Sequence, residues 1–104
     1  MRLKSGVNPI GIRPEMLLAI MVADAAYTRF GFECVVTSIN DSDHAKTSRH
    51  YQGMAADFRI SHLPTGPPGY AVGISDEIQL DLGLNYFVLL ESNHIHVSYK
   101  PRKP

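Results

Sequence analysis

The tightest constraint on the fold lies near the end of the chain. There "NYFVLL" (85–90) and "HIHVSY" (94–99) are separated only by the polar triplet "ESN". Both runs are rich in β-branched and aromatic residues, the composition of strands. So short a connection leaves no room for a crossover, and the two strands are expected to pair antiparallel.

Upstream, "FECVVTS" (32–38) and "MAADFRI" (54–60) read as a second strand pair, separated by polar residues 39–49. Pro14 stands where the first turn of a helix tolerates it, and "PEMLLAIMVADAAYTRF" follows. Leu17, Leu18, Met21, Val22, Ala25 and Ala26 recur at helical spacing, which predicts that they form the buried face, and Gly31 closes the helix. The prolines and glycines of "SHLPTGPPGYAVG" (61–73) exclude regular structure. "ISDEIQLDLG" then reads as a short helix with Ser75 as N-cap and Gly83 at its end. Residues 1–13 form an irregular arm, and 100–104, "KPRKP", a frayed basic tail. Helix, strand pair, helix, strand pair predicts an α+β fold, with a small antiparallel sheet packed against two main helices.

At 104 residues and 44% hydrophobic content, the chain has the size and composition of one domain with a modest core. Ten basic and ten acidic residues cancel, so no overall field points to nucleic acid or an anionic membrane. No apolar run approaches the roughly 20 residues of a membrane span. "MRLKSGVNPIG" lacks the apolar region of a secretory signal, so the expected product is made in the cytoplasm. The single cysteine, Cys34, has no partner for an internal disulfide. Among Phe32, Val35 and Val36 it reads as a buried, inert thiol.

The chemistry-bearing residues fall in two segments. "SRHYQGMAADFRI" (48–60) offers His50 and, seven positions on, Asp57. Gly53 lets the chain turn between them, and Ala55 and Ala56 keep bulk away. In "ESNHIHVSY" (91–99), His94 and His96 fall on one strand face with Ile95 on the other. Glu91 precedes them, within reach of the same water as a general base. Catalytic zinc sites combine three such nitrogen and oxygen ligands with an open position. Taken singly, a His-x6-Asp is an ordinary loop histidine and strand-start aspartate, and a His-x-His the polar face of a half-buried strand.

"SRHYQGMAADF" resembles the Ser-x-His-x-x-Gly-x-Ala-x-Asp signature of the zinc DD-peptidase superfamily, and "ESNHIHVSY" resembles its closing His-x-His strand. That group includes D-Ala-D-Ala carboxypeptidases, phage L-Ala-D-Glu endolysins and the hedgehog signalling domain. The resemblance covers about residues 14–99, and "VVTS" with "HYQGMAAD" looks like the hedgehog and phage-type branch. It implies a hedgehog/DD-peptidase-like fold, one zinc ion held by His50, Asp57 and His96, and Glu91 and His94 in the catalytic region. Either of the last two fits as the base. The implied activity is hydrolysis of peptide bonds in peptidoglycan stem peptides or cross-links, by a carboxypeptidase or an endopeptidase.

Two departures bear on that expectation. Many carboxypeptidase members carry an arginine just after the "TS" strand; here that segment is "SINDSD". Recognition of a free C-terminal carboxylate by that residue is thereby lost, which favours an endopeptidase. No wall-binding module accompanies the domain, which points to a phage or prophage product, or to part of a phage particle or larger assembly. Such a protein would reach the wall by lysis, holin-type release or virion delivery. The competing expectation, also within that superfamily, is a metal-stabilised binding or virion structural module without hydrolysis.

Around the motifs, Ser48 is a candidate to support the ligands, and Arg49 and Tyr51 to touch substrate. Asp41 and Asp43 suggest a calcium site, but two carboxylates fall short of the 6–8 oxygens calcium takes, and a solvated turn is the better reading. His44 is a candidate cleft residue, His62 a loop residue, and Tyr70 and Tyr99 packing residues.

Overall fold

A computed structural model of the chain describes residues 1–40 and 54–101. It is an α+β fold in two layers. Its elements in order are β1 (Arg2–Leu3), α1 (Pro14–Arg29), β2 (Val35–Asn40), β3 (Ala55–Arg59), α2 (Tyr70–Leu82), β4 (Tyr86–Leu90) and β5 (His94–Tyr99). The five strands form one sheet in the order β1-β2-β3-β5-β4. Every pairing is antiparallel except β1 with β2, which is parallel, so the sheet is mixed rather than purely antiparallel. The correction comes from the arm: Arg2 and Lys4 donate their amides to the carbonyls of Cys34 and Val36, each at 2.8 Å. A two-residue strand has no sequence signature of its own; its ladder comes from its partner.

Both helices lie on one face of the sheet. Val36, Ala56, Phe58, Ile95 and Val97 point into the core, where they meet Met16, Ala19, Ala23, Ala26 and Tyr27 of α1 and Ile74 and Ile78 of α2. Burying such a face is the main stabilising contribution. The buried stripe of α1 differs from the expected one. Ala26 is buried as expected, but Leu17, Leu18, Met21 and Ala25 are exposed, and Ala19 and Ala23 face the core instead. Small side chains let the helix approach the sheet closely, while periodicity weighted by size favoured the larger residues. The Tyr27 hydroxyl reaches past the core and donates to the Arg59 carbonyl at 2.8 Å. Burial pushes that phenol's pKa well up.

Helix α2 begins four residues before the expected start, at Tyr70, with Gly69 at φ 78° as its N-cap. Ser75 therefore caps nothing; its hydroxyl lies inside the helix and donates to the Val72 carbonyl at 2.9 Å. Gly73 lies within the helix, where a Cβ would stand 3.0 Å from the Phe30 ring, so the position favours glycine. Arg29 bridges the helices through Glu77 and Asp81, each at 2.8 Å. Gly31 and Gly83 end the helices as expected. The strand 32–38 is shifted to Val35–Asn40, taking in two residues assigned to the loop. Lys100 is held rather than frayed: its amide donates to the Asn85 carbonyl at 2.7 Å, and its ammonium lies 5.0 Å from the Phe87 ring centre.

β4 is an edge strand, with its outward backbone groups open to further pairing. Gln79 of α2 covers two of them, at Tyr86 and Val88. Its Oε1 accepts from the Val88 amide at 3.1 Å, and its Nε2 donates to the carbonyls of Tyr86 and Gly83 at 3.0 Å. Among the described residues no helix is long and apolar enough to cross a membrane.

Candidate metal centre

The sheet face away from the helices carries the polar residues singled out in the sequence. Side chains alternate along a strand, so with Phe58 and Ile95 in the core, Asp57, His94 and His96 take the other face. Asp57 and His96 are register partners across β3 and β5. His94 lies two residues earlier on the same side, opposite Arg59. Residues 39 positions apart in sequence thus become neighbours: His96 Nδ1 donates to Asp57 Oδ1 at 2.8 Å. His94 Nε2 stands 3.6 Å from the same oxygen. One candidate donor atom from each of the three lies within 4.8 Å of the others.

Each ring is held by its surroundings. The Asn93 side-chain oxygen accepts from His94 Nδ1 at 2.6 Å, which leaves Nε2 as the free nitrogen facing Asp57. The two rings are nearly perpendicular, at 79°, with centres 6.4 Å apart. The three side chains are 28–33% exposed, so the cluster is open to solvent yet seated in the sheet. A β-bulge interrupts β2 beside it, between Val36 and Ser38, and Ser38 is the register partner of Asp57. Thr37 donates from its hydroxyl to the Asp57 carbonyl at 3.3 Å, fixing the backbone under the carboxylate. The register continues past β4 to Glu91, whose amide donates to the His94 carbonyl at 2.8 Å. Glu91 therefore lies opposite His94 on the same face, exposed at the hairpin end. Leu89, partner of His96, and Phe87, partner of Ser98, add a half-exposed apolar strip beside it. Ser98 Oγ is buried with no hydrogen-bond partner among the described residues.

Two imidazole nitrogens and a carboxylate oxygen suit zinc, and donors at about 2.0–2.2 Å from one ion stand about 3.3–3.5 Å apart. The separations at Asp57, 2.8 Å to His96 and 3.6 Å to His94, lie on either side of that spacing and all three donor atoms are within 4.8 Å, so these residue types suit one ion once His96 Nδ1 gives up its proton. His94 belongs to this cluster spatially, together with the expected ligands Asp57 and His96, and not only to the region around it. The third expected ligand, His50, lies outside the described residues, as do Ser48, Arg49, Tyr51, His44, Asp41 and Asp43. Sequence reasoning did not find Asn93, whose only signal was its position beside a histidine. His62 is a packing residue: it stacks on Tyr27 and its Nε2 lies 2.7 Å from the Glu33 carbonyl. Tyr70 packs edge-on against Phe30 and Phe32, and Tyr99 against Tyr86.

Cys34 is fully buried and its thiol is pushed up to about 12 by desolvation, with Asp24 adding to the shift, so it plays no nucleophilic part. Compared with protein-family models, curated proteins and solved structures, the chain has no significant match.

Proposed function

We propose that the protein is a zinc metallopeptidase that hydrolyses peptide bonds in bacterial peptidoglycan stem peptides or cross-links. The observation that carries this reading is the meeting of Asp57, His94 and His96 on one solvent-open sheet face, with Glu91 in register beside them. The peptidoglycan substrate rests on the resemblance of the two motifs to the zinc DD-peptidase superfamily. Asp57 and His96 hold the metal, and the resemblance makes His50 their third partner. When bound, zinc supplies a Lewis acid and a water that ionises near neutral pH. Glu91 and His94 move protons: a base accepts the proton of the attacking water and an acid delivers one to the departing amine nitrogen. With His50 as third ligand, His94 is left for that exchange: Asn93 occupies its Nδ1, and its Nε2 faces the cluster 3.6 Å from Asp57 Oδ1. Glu91 is suited because its backbone pairs with His94 at the hairpin end and its side chain is exposed, with no partner holding its carboxylate among the described residues.

The test combines zinc analysis with release of soluble peptides from purified peptidoglycan. Wild type is expected to bind one zinc and release peptides, His96→Ala to do neither, and Glu91→Gln to keep zinc while losing most turnover if Glu91 is the base. Zinc-loaded wild type that releases no more peptide than His96→Ala would remove the peptidase reading and leave a metal-stabilised binding module. Mass analysis of the products identifies the bond.

A further inference from the structure

A second polar feature lies at the β1–β2 edge of the sheet, with Lys4 and Ser38 on the face that carries Asp57. The arm after β1 and the outer part of β2 enclose an open cleft of about 370 Å³, lined by Lys4, Ser5, Val7, Asn8, Thr37 and Ser38 among others. Its position follows from the register. Leu3 pairs with Val36 and packs against the core, so Lys4, the next residue, takes the opposite face. The Lys4 amide still bonds to the Val36 carbonyl, which holds it in the ladder. Ser38, on the cleft's other wall, is the register partner of Asp57. Two strand spacings put the Lys4 backbone about 10 Å across the sheet from that of Asp57. An extended peptide covers that distance in about three residues, and the flexible lysine stem shortens it.

The cleft is rich in donors. Lys4 brings an ammonium with three N–H groups, Ser5 and Ser38 bring hydroxyls, and Asn8 brings a side-chain amide. Asn8 Oδ1 already accepts from the Ile10 amide at 3.0 Å, so what it has left to offer is its NH2 group. The neighbouring cations are engaged elsewhere: Arg2 pairs with Glu33 at 3.1 Å and the N-terminal ammonium with Asp24 at 3.2 Å. Lys4 has no carboxylate partner among the described residues. A positive charge on a wall shared with such donors, with no carboxylate partner among the described residues, is the complement of a carboxylate.

We propose that this cleft is a substrate subsite that binds a carboxylate of the peptide, one to three residues from the bond held at Asp57 and His96. The proposal rests on the peptidase reading above and adds the charge of the ligand and the residue that selects it. Two sources share that chemistry: the C-terminal carboxylate of a stem peptide, and the side-chain carboxylate of its glutamyl residue.

The experiment titrates the intact protein with a stem pentapeptide in three forms: unmodified, amidated at the C-terminus, and amidated at the glutamyl carboxylate. Binding is followed by the backbone amide shifts of Ser5, Asn8 and Ser38, which need no turnover. One of the two amidations is expected to weaken binding about tenfold and abolish those shifts, and which one does so identifies the source. Lys4→Met is expected to bind all three forms equally weakly, and Lys4→Arg to restore the preference. Zinc content is expected to be equal in wild type and both variants. Equal affinity of wild type for the three forms, or a preference that survives in Lys4→Met, overturns the proposal. Absence of hydrolysis with the binding preference intact would count against the peptidase reading alone.

Discussion

Asp57 and His96 face each other directly across β3 and β5, with Oδ1 and Nδ1 2.8 Å apart. Their backbones are register partners in the central strand pair of the sheet. The cluster they form with His94 is therefore positioned by backbone register rather than by loop conformation, the kind of support that gives a metal site its geometry. Asp57→Ala removes the oxygen that both histidines approach. Zinc affinity, measured by competition with a chromophoric chelator, is expected to fall by more than the ~10–100-fold typical of outer-shell partners. The far-ultraviolet circular dichroism is expected to stay unchanged, because the side chain lies outside the core.

Asn93 acts through His94. Replacing it with alanine removes the acceptor that holds Nδ1–H at 2.6 Å and frees the ring to rotate or change tautomer. A loss of about tenfold in zinc affinity or in turnover is expected. Asn93→Asp, which keeps an acceptor there, is expected to recover most of it. An unchanged affinity and rate in Asn93→Ala would show that the ring is held by packing alone.

Gln79 bonds the open edge of β4 at Val88 and Tyr86. Gln79→Ala leaves these backbone groups without a partner, and a loss of about 1–3 kcal/mol is expected in urea denaturation. The bare edge is also expected to self-associate, visible by light scattering at concentrations where wild type stays monodisperse. Exposed substitutions on α1, such as Thr28→Ala, serve as controls and are expected to change neither quantity.

Alkaline pH is expected to destabilise the fold through Cys34. Its thiol is raised from the ordinary value of 9.0 to about 12 in the folded protein. Below pH 9 both states keep the proton and this contribution is intact. Above it the unfolded chain ionises first, so stability declines with rising pH across the interval from about 9 to 12. Tyr27 and Tyr86, also raised by burial, add to the slope from above pH 10. Cys34→Ala is expected to flatten the early part of the decline in melting temperature. The native thiol is also expected to resist Ellman's reagent at pH 8 until denaturant is added.

How much of this was legible in the sequence varies by element. The closing hairpin and its two histidines on one face followed from alternation and the short polar connection, and the structure has them at Tyr86–Leu90 and His94–Tyr99. The fold class followed from element order. The buried face of α1 followed only in part: Ala26 was expected there, but Ala19 and Ala23 are selected by how near the sheet lies, which a single helix's pattern does not contain. The start of α2 was hidden by glycines that usually break helices, and at Gly73 the nearby Phe30 ring, 3.0 Å from where a Cβ would lie, favours glycine. For the site, the residue types and their two segments were readable, and so was the shared face of His94 and His96. That Asp57 stands opposite His96, with His94 drawn to the same oxygen, depends on the pairing of β3 with β5, a relation across 39 positions that no local pattern fixes.

The strand order β3-β5-β4 also governs how the protein reaches its native state. The β4–β5 hairpin is local and closes on a microsecond scale, carrying both histidines with it. Asp57 joins them only when β5 docks on β3, after the whole excursion through α2 has been looped out. Contacts of such sequence separation are the slow ones. Docking of β5 on β3 and the creation of the donor cluster are then the same event. Metal capture in a refolding experiment would serve as a clock for that docking, and zinc would favour the docked topology over any chain in which the hairpin has formed alone.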